Sequence, residues 1–325
     1  MTAAPALRIA VVSSGEPSGL AASLVRGFKQ AGHHAEICEE PWPRRAALVA
    51  PGLLLRGRLP PGAIRGRKLL AKVSQVSPSL IVVVKGCFVG PSLVQGLRRV
   101  APTICWNPDS PFDSALSNSG GFIQTALREY DAYVTWSESV QRCVADLRDR
   151  VYRIPFGLDL TLHAPVRGRG EAAGRVVFIG TASPERIVMV ERLRHVSPIV
   201  YGNGWPADIA DVRGPLAAEQ LAAVAGEASW CLNPLRPQNR DSHNMRTFEL
   251  MACGAAQLTF DTEDHRRFLP GSSAVLVSSM GEMIQRAGTP GPPLVDARDL
   301  GRHTYRVRCS SLLAQLADDG VIDLT

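Results

Sequence analysis

Short runs of apolar residues recur along the chain, and each is bounded by glycine, proline or polar residues. Continuous apolar runs of this length are typical of parallel strands buried on both faces, and the stretches between them favour helices. The strongest run is Leu80-Ile-Val-Val-Val-Lys85. The predicted strands lie at 7–13, 35–38, 80–85, 103–106 and 132–135 in the first half, and at 175–180, 198–201, 229–233, 256–259 and 274–277 in the second.

The two sets of strands are separated by a segment, 154–170, that combines proline, glycine and charge as interdomain linkers do. A length of 325 residues also exceeds what one hydrophobic core usually holds. We therefore predict an α/β protein of two Rossmann-like, doubly wound domains that face a central cleft. The predicted boundaries are 1–160 and 161–303 for the two domains and 304–325 for a C-terminal segment that begins with an amphipathic helix.

The formal net charge of +6 is spread over the chain, with one denser basic stretch from Arg44 to Lys68. Aromatic residues make up only 6% and do not alternate with basic ones, which argues against a nucleic-acid partner. The basic surface suits a phosphorylated ligand or peripheral contact with an anionic membrane. No apolar run reaches about 18 residues and no signal-peptide pattern is present, so we expect no transmembrane segment and a cytoplasmic protein.

The cysteines and acidic residues show no metal-site pattern. Seven cysteines are scattered without a Cys-x-x-Cys pair, which indicates reduced and mostly buried thiols. The sequence has no Asp-x-Asp, no Walker loop and no complete dinucleotide fingerprint. We therefore expect neither a metal ion nor a cofactor.

The most informative segment is Asn239-Arg-Asp-Ser-His-Asn-Met-Arg-Thr-Phe-Glu249-Leu-Met-Ala-Cys-Gly254. Asp241 is predicted in the loop before a helix, and Glu249 follows on that helix after seven intervening residues. A helix N-terminus attracts phosphate, and a carboxylate can accept two hydrogen bonds from a ribose diol. The alternative interpretation is a helix cap at Asp241 and a surface position for Glu249.

This segment resembles the donor-binding region of retaining GT-B glycosyltransferases, whose acidic-x7-Glu motif ends in Glu-Ala-Met-Ala-x-Gly. The first acid is Asp241 here, where the family more commonly has glutamate. The segment is closer still to the spore-maturation CgeB-like branch, in which Asn-x-Arg-x-Phe-Glu precedes Ala-Cys-Gly. Other segments resemble the same family in the same order: 106–111, 154–165, 178–186 and 201–205.

The resemblance implies a nucleotide-sugar site in the C-terminal domain. Glu249 would hold the donor ribose, and Arg186 and Arg246 would bind the diphosphate. A solvated arginine at 186 and an ion pair of Arg246 with Glu249 are the alternatives. The remaining donor-binding candidates are small or polar residues beside the phosphates and sugar: Gly180, Thr181, Gly202 and Asn244.

The catalytic candidates are Asp241, His243 and Arg246 in the C-terminal domain and Asp109 in the N-terminal domain. His243 would act as an acid–base residue, with an ordinary loop histidine as the alternative. Asp109 follows a predicted strand and would bind or deprotonate an acceptor hydroxyl, unless it only forms a turn. Gly15 and Glu16, in the loop after the first strand, are further acceptor-binding candidates.

The resemblance implies a glycosyltransferase that moves a sugar from a nucleotide donor to a hydroxyl or amine of a small-molecule or glycan acceptor. It also implies retention of anomeric configuration, no metal requirement, and a last helix that returns to the N-terminal domain. Two alternatives stay open. They are a nucleotide-sugar epimerase or hydrolase of the same fold, and a non-catalytic two-lobed protein that binds a nucleotide or sugar.

Overall fold

The computed structural model describes residues 5–13, 19–39, 63–86, 89–112, 121–164, 172–239, 241–269, 274–292 and 300–324. The chain divides into two compact units. Unit 1 comprises Met1–Pro155 and Tyr305–Thr325, and unit 2 comprises Phe156–Thr304. The boundaries predicted from the sequence lie after residues 160 and 303.

Unit 1 is built on a parallel sheet of six strands in the order β2-β1-β3-β4-β5-β6. The strands are β1 Arg8–Ser13, β2 His34–Glu39, β3 Leu80–Val84, β4 Thr103–Trp106, β5 Ala132–Thr135 and β6 Val151–Arg153. All five residues of β3 are buried, as expected for a central strand covered on both faces. The helices that alternate with them are α1 Leu20–Gln30, α2 Ala63–Val76, α3 Pro91–Arg98, α4 Gly121–Ala126 and α5 Glu138–Ala145.

Unit 2 repeats this plan with the order β12-β11-β10-β7-β8-β9, again all parallel. Its strands are β7 Val176–Ile179, β8 Ile199–Tyr201, β9 Asp211–Arg213, β10 Trp230–Asn233, β11 Gln257–Phe260 and β12 Ala274–Val277. Its helices are α6 Leu160–His163, α7 Pro184–Arg192, α8 Ala218–Ala225, α9 Met245–Ala252, α10 Glu263–Phe268 and α11 Met280–Ala287.

The sheet of unit 2 is covered on both faces by helices. Phe178 of β7 points into a cluster that includes residues of α7 and α11, whereas its neighbour Val177 points into a second cluster with residues of α8 and α9. Successive strand residues face opposite sides of a sheet, so each face has its own apolar core. Together with the parallel strands, this confirms the predicted doubly wound architecture.

The last helix, α12 Tyr305–Asp318, belongs to unit 1 and packs against α1. A Cβ atom on Gly27 of α1 would lie 2.8 Å from the backbone carbonyl carbon of Tyr305, so the absence of a side chain lets the two helices approach this closely. Leu312 and Leu316, one helical turn apart, have no exposed surface. The far end of the chain therefore completes the core of unit 1.

The ten predicted strands all occur, whereas β6 and β9 are two further strands that were not predicted. Each has three residues and lies at an edge of its sheet. An edge strand is only partly covered, so its sequence lacks the continuous apolar run that identifies the central strands.

Candidate active site

The candidate donor site lies in unit 2, at the carboxyl ends of β7 and β10. These two strands are neighbours in the sheet, but β7 leads to β8 on one side and β10 leads to β11 on the other. Such a reversal of strand order opens a crevice between the two following loops, which is where open α/β sheets bind ligands. The predicted donor residues follow these two strands or, for Gly202, the adjacent β8.

The loop after β7 is held in place by the loop after β8. Gly202 has a φ of +147°, and a Cβ atom there would lie 2.1 Å from the carbonyl oxygen of Gly180. Trp205 donates a hydrogen bond from its indole N–H to the same oxygen at 2.9 Å. The backbone contact requires glycine at 202. Gly180 and the exposed Thr181 are thus presented on a supported loop at the crevice.

Arg186 lies in the first turn of α7, directly behind this loop. Its guanidinium lies over the ring of Phe178, 5.2 Å from the centroid, and donates a hydrogen bond to the carbonyl oxygen of Thr181 at 2.8 Å. Burial and the nearby positive charges of Arg236 and Arg246 together lower the pKa of Arg186 to about 10, against a smaller opposite effect of Glu185. The guanidinium groups of Arg236 and Arg246 therefore both lie near that of Arg186.

Arg236 was not among the predicted site residues. It is the third residue after β10, on the second loop of the crevice. Among the residues that the structure describes, no carboxylate forms an ion pair with it. Its position just beyond the carboxyl end of a central strand is the sequence signal that could have identified it.

The second loop ends at Asn244, which caps α9. Its side-chain oxygen accepts the Thr247 N–H at 3.0 Å, and its amide nitrogen donates to Asn233 Oδ1 at 2.9 Å. Asn233, at the end of β10, also donates to Gln257 Oε1 of β11 at 2.8 Å. The amide of Asn244 is thus engaged in fixing the start of α9 to the sheet.

Arg246 and Glu249 lie on the first turns of α9 and form an ion pair of 2.8 Å between Nη1 and Oε2. Their side chains are 29% and 16% exposed, so the pair is partly accessible from the crevice. The alternative in which Arg246 pairs with Glu249 is therefore realised. Arg246 of this pair lies near Arg186, and the pair is compatible with a further role for each group in ligand binding.

The structure separates Asp241 from His243. Asp241 is exposed, whereas His243 has no exposed surface and lies beneath the loop. His243 Nε2 accepts the backbone N–H of Phe156 at 3.2 Å, and its Nδ1 lies 2.8 Å from Asp264 Oδ2. A histidine buried in this way does not line a sugar pocket in the present conformation.

Unit 1 has a smaller group of polar residues at the carboxyl ends of β3 and β4. Asp109 forms an ion pair with Lys85 at 3.1 Å, and its backbone N–H donates to Asn107 Oδ1 at 3.1 Å. Lys85 adopts a left-handed backbone conformation, with φ +66°, that is uncommon outside glycine. The acceptor-binding candidates Gly15 and Glu16 lie outside the described residues, as does most of the basic stretch from Arg44 to Lys68.

The described residues contain neither a metal-site cluster nor a membrane-spanning helix. No group of three His, Cys, Asp or Glu side chains is placed there to hold a metal ion. In the same part of the chain, no helix is long and apolar enough to cross a membrane.

Comparison with known families gives a match within the C-terminal half. Residues 186–314 match the family described as glycosyl transferase-like. The matched region begins at Arg186, includes the segment from Asp241 to Gly254, and ends within α12. No curated protein matches the chain.

Solved structures that resemble the chain cover nearly its whole length. The sucrose-phosphate synthase of Thermosynechococcus elongatus has a TM-score of 0.59 at 16% identity over 96% of this chain and 97% of that one. AviGT4, a glycosyltransferase of avilamycin A biosynthesis, has a TM-score of 0.62 at 15% identity over 96% and 97%. The UDP-forming trehalose-phosphate synthase of Burkholderia xenovorans has a TM-score of 0.55 at 12% identity over 97% and 96%.

At these identities, the solved structures establish the fold, which is the two-domain Rossmann-like fold called GT-B. The family match adds that residues 186–314 are glycosyl transferase-like. The chain thus combines the GT-B fold with a glycosyl transferase-like region in its C-terminal part.

Proposed function

We propose that the protein transfers a sugar from a nucleoside-diphosphate sugar, bound by unit 2, to a hydroxyl or amine of a small-molecule or glycan acceptor. The observation that carries this proposal is the group of three arginines at the crevice between β7 and β10. Only Arg246 of the three has a described ion-pair partner, Glu249. The excess positive charge favours a ligand with several negative charges, as a diphosphate has.

Arg186, Arg236 and Arg246 would bind the diphosphate, and Glu249 would accept hydrogen bonds from the ribose diol. Gly180 would let the phosphates approach the backbone after β7. Arginines placed here would stabilise the charge that develops on the diphosphate as it departs.

In the transfer itself, the bond between the anomeric carbon and the phosphate oxygen breaks, and its electron pair leaves with the nucleoside diphosphate. The acceptor oxygen forms the new bond to the anomeric carbon, and its proton passes to the departing phosphate. We propose that this occurs with retention and without a metal ion, since the acidic-x7-Glu pattern of Asp241 and Glu249 is present and Asp-x-Asp is absent. Asp109, held by Lys85, is the candidate to orient the acceptor hydroxyl.

The CgeB-like branch is part of the proposal, on the match from Asn244 to Gly254. We also place the protein in the cytoplasm, because five of its six described cysteines are buried free thiols. Burial raises the pKa of the Cys253 thiol to about 12, which keeps it protonated and unreactive.

The test is a metal-free thermal-shift and calorimetric screen with UDP, GDP, ADP and dTDP. UDP comes first because the Burkholderia xenovorans relative is UDP-forming. The site variants are Glu249→Ala and Arg236→Gln. Their matched controls are Glu219→Ala and Arg192→Gln, which change exposed residues of unit 2. A bound nucleotide stabilises the native state by linkage.

We expect one nucleotide to raise the Tm of wild type. Each site variant should weaken its Kd about 10- to 100-fold, as loss of a hydrogen bond to a charged group does, while both controls bind as wild type. Failure of all four nucleotides to bind would contradict the proposal, and so would unchanged affinity in Arg236→Gln. Turnover of the matching nucleotide sugar with no acceptor present would indicate an epimerase or hydrolase instead.

A further inference from the structure

His243 lies in an aromatic pocket at the end of the loop that leads from β10 to α9, which we call the donor loop. The rings of Phe156, Phe248 and Phe268 meet its imidazole edge-on, with centroids 5.6, 5.4 and 5.2 Å away. With no exposed surface, the imidazole has no path to a reacting atom in this conformation. The part that it plays must therefore be transmitted through its neighbours.

The hydrogen bond at Nε2 determines which nitrogen carries the proton. Phe156 N–H donates to Nε2, so Nε2 must present a lone pair. The proton of the neutral ring is then on Nδ1, which faces the carboxylate of Asp264 at 2.8 Å. A carboxylate that fixes the tautomer and orientation of a histidine is a recurrent arrangement in proteins.

The same carboxylate holds the donor loop. Asp264 of α10 accepts the hydroxyl of Ser242 as well as the His243 ring, and Thr262 donates its hydroxyl to the Ser242 carbonyl at 2.7 Å. These contacts attach residues 242 and 243 to α10, immediately before Asn244 caps α9. The start of α9, and with it Arg246, is thereby fixed relative to α10.

His243 also ties this loop to both ends of unit 2. Phe156 is the first residue of the unit, and Leu158 donates its N–H to the carbonyl oxygen of His303 at 2.9 Å. The ring of His303 lies 5.7 Å from that of Phe248, which is a residue of α9. The beginning and the end of unit 2 thus meet at the helix that carries Arg246 and Glu249.

We infer that His243 is a positioning residue. As a neutral ring with its proton on Nδ1, it holds the donor loop and the first turn of α9 so that Arg246 and Glu249 meet the nucleotide sugar, and it transfers no proton in the reaction. The effect on nucleotide affinity rests on the proposed function, whereas the tautomer and the loop contacts do not.

The first measurement is the tautomer of His243, from ¹⁵N NMR of histidine-labelled protein at pH 7. We expect the Nδ1–H form in wild type. In Asp264→Asn, the new amide can donate to Nδ1, so the proton should move to Nε2, and the Phe156 N–H should lose its acceptor and exchange faster. Observation of the Nε2–H form in wild type would overturn the inference.

The second measurement is the Kd of UDP, GDP, ADP and dTDP in full-length variants. His243→Phe removes the hydrogen bonds of the imidazole and should weaken nucleotide binding about 10-fold. His243→Asn retains an amide donor near the Nδ1 position and should recover affinity to within about 3-fold of wild type. His195→Phe, at an exposed histidine of unit 2, is the matched control and should bind as wild type.

Unchanged affinity in a folded His243→Phe would contradict the positioning role. So would a His243→Asn variant that binds nucleotide normally yet turns over donor more than 100-fold more slowly, since that result indicates proton transfer. If wild type binds none of the four nucleotides, the proposed function fails. Amide exchange of residues 244–249 in His243→Phe then decides the inference, since faster exchange supports the anchor and unchanged exchange rejects it.

Discussion

Each unit has a buried asparagine at the carboxyl end of a central strand, and the two asparagines hold very different neighbours. Asn107, after β4 of unit 1, donates to the Tyr133 hydroxyl at 2.8 Å and accepts the N–H of Asp109. Asn233, the last residue of β10 in unit 2, links β11 to the cap of α9 through Gln257 and Asn244. The first organises one loop, whereas the second organises a helix.

The charges at the two strand edges differ in the same way. Lys85 and Asp109 neutralise each other in unit 1. In unit 2, Arg236 and Arg246 both lie near Arg186, and the carboxylates found there are Glu249, paired with Arg246, and Glu185. Two sheets of similar plan therefore present a balanced edge and a positive edge, and the positive edge of unit 2 is the one proposed above to bind a diphosphate.

The stabilising contacts also differ. Behind the site of unit 2 lie buried polar residues, with His265 bonded to Thr247 at 3.0 Å and to the Phe260 carbonyl at 2.6 Å. Unit 1 is closed by apolar burial of α12 against α1. Polar networks orient groups for binding, whereas apolar contacts supply most of the folding free energy. The three predictions that follow test this contrast.

The largest effect is expected from the apolar closure of unit 1. Leu312→Ala with Leu316→Ala removes two side chains that have no exposed surface. Each such change costs about 2–5 kcal/mol, and a whole domain has only about 5–15 kcal/mol. Hydrogen exchange should show unit 1 opening first while unit 2 keeps its protection. The exposed Leu160→Ala is the control, and equal loss of protection in both units would argue against the contrast.

The polar network of unit 2 should respond to acid. Burial lowers the pKa of His265 from 6.5 to about 4 in the folded protein. As pH falls, the unfolded chain therefore binds the proton before the folded protein does. The contribution of neutral, buried His265 to stability is complete above pH 6.5 and is lost as pH falls towards 4. It amounts to about 3 kcal/mol. The free energy of unfolding should fall by about 1.4 kcal/mol per pH unit in that window.

His265→Gln provides the comparison, because it cannot take up the proton. His33 of unit 1, whose pKa burial also lowers, acts in the same direction and remains in both proteins. Denaturant unfolding at several pH values measures the two slopes. Slopes that do not differ between wild type and His265→Gln would exclude His265 as the origin.

The smallest effect is expected at the loop that supports the donor site. Gly202→Ala would place a methyl group 2.1 Å from the Gly180 oxygen in a backbone conformation that favours glycine. Overpacking of this kind costs about 1–3 kcal/mol, and displacement of the Gly180 loop should also weaken nucleotide binding. A Cβ atom at Gly214 would have no neighbouring atom within 4 Å, so Gly214→Ala should leave both Tm and Kd unchanged. Unchanged Tm and Kd in Gly202→Ala would show that the loop tolerates a shift and would contradict this prediction.

Much of the fold could be predicted because local patterns encode it. Ile9, Val82 and Leu232 lie in runs whose apolar content alone identifies buried strands. The edge strands β6 and β9 could not be predicted in this way, since Tyr152 is the only buried residue among their six. The placement of Asp241 in a loop and of Glu249 on the helix that follows could likewise be predicted, because the two residues are close together along the chain.

The site as a whole was less predictable. Arg236 comes close to Arg186 although 49 residues separate them along the chain, because β7 and β10 are neighbours in the sheet. The sequence around His243 predicts a loop residue. Only the packing of Phe156, Phe248 and Phe268 around it shows that it is buried. Neither fact follows from periodicity or composition.

The sequence by itself determined the central strands, the division into two α/β units and the position of the acidic-x7-Glu segment, since these depend on the chemistry of residues close together along the chain. Tertiary structure alone decided that three arginines share one crevice, that His243 lies under the donor loop, and that α12 closes unit 1. Those outcomes depend on contacts between distant segments, and such contacts form only when the sheets bring the segments together.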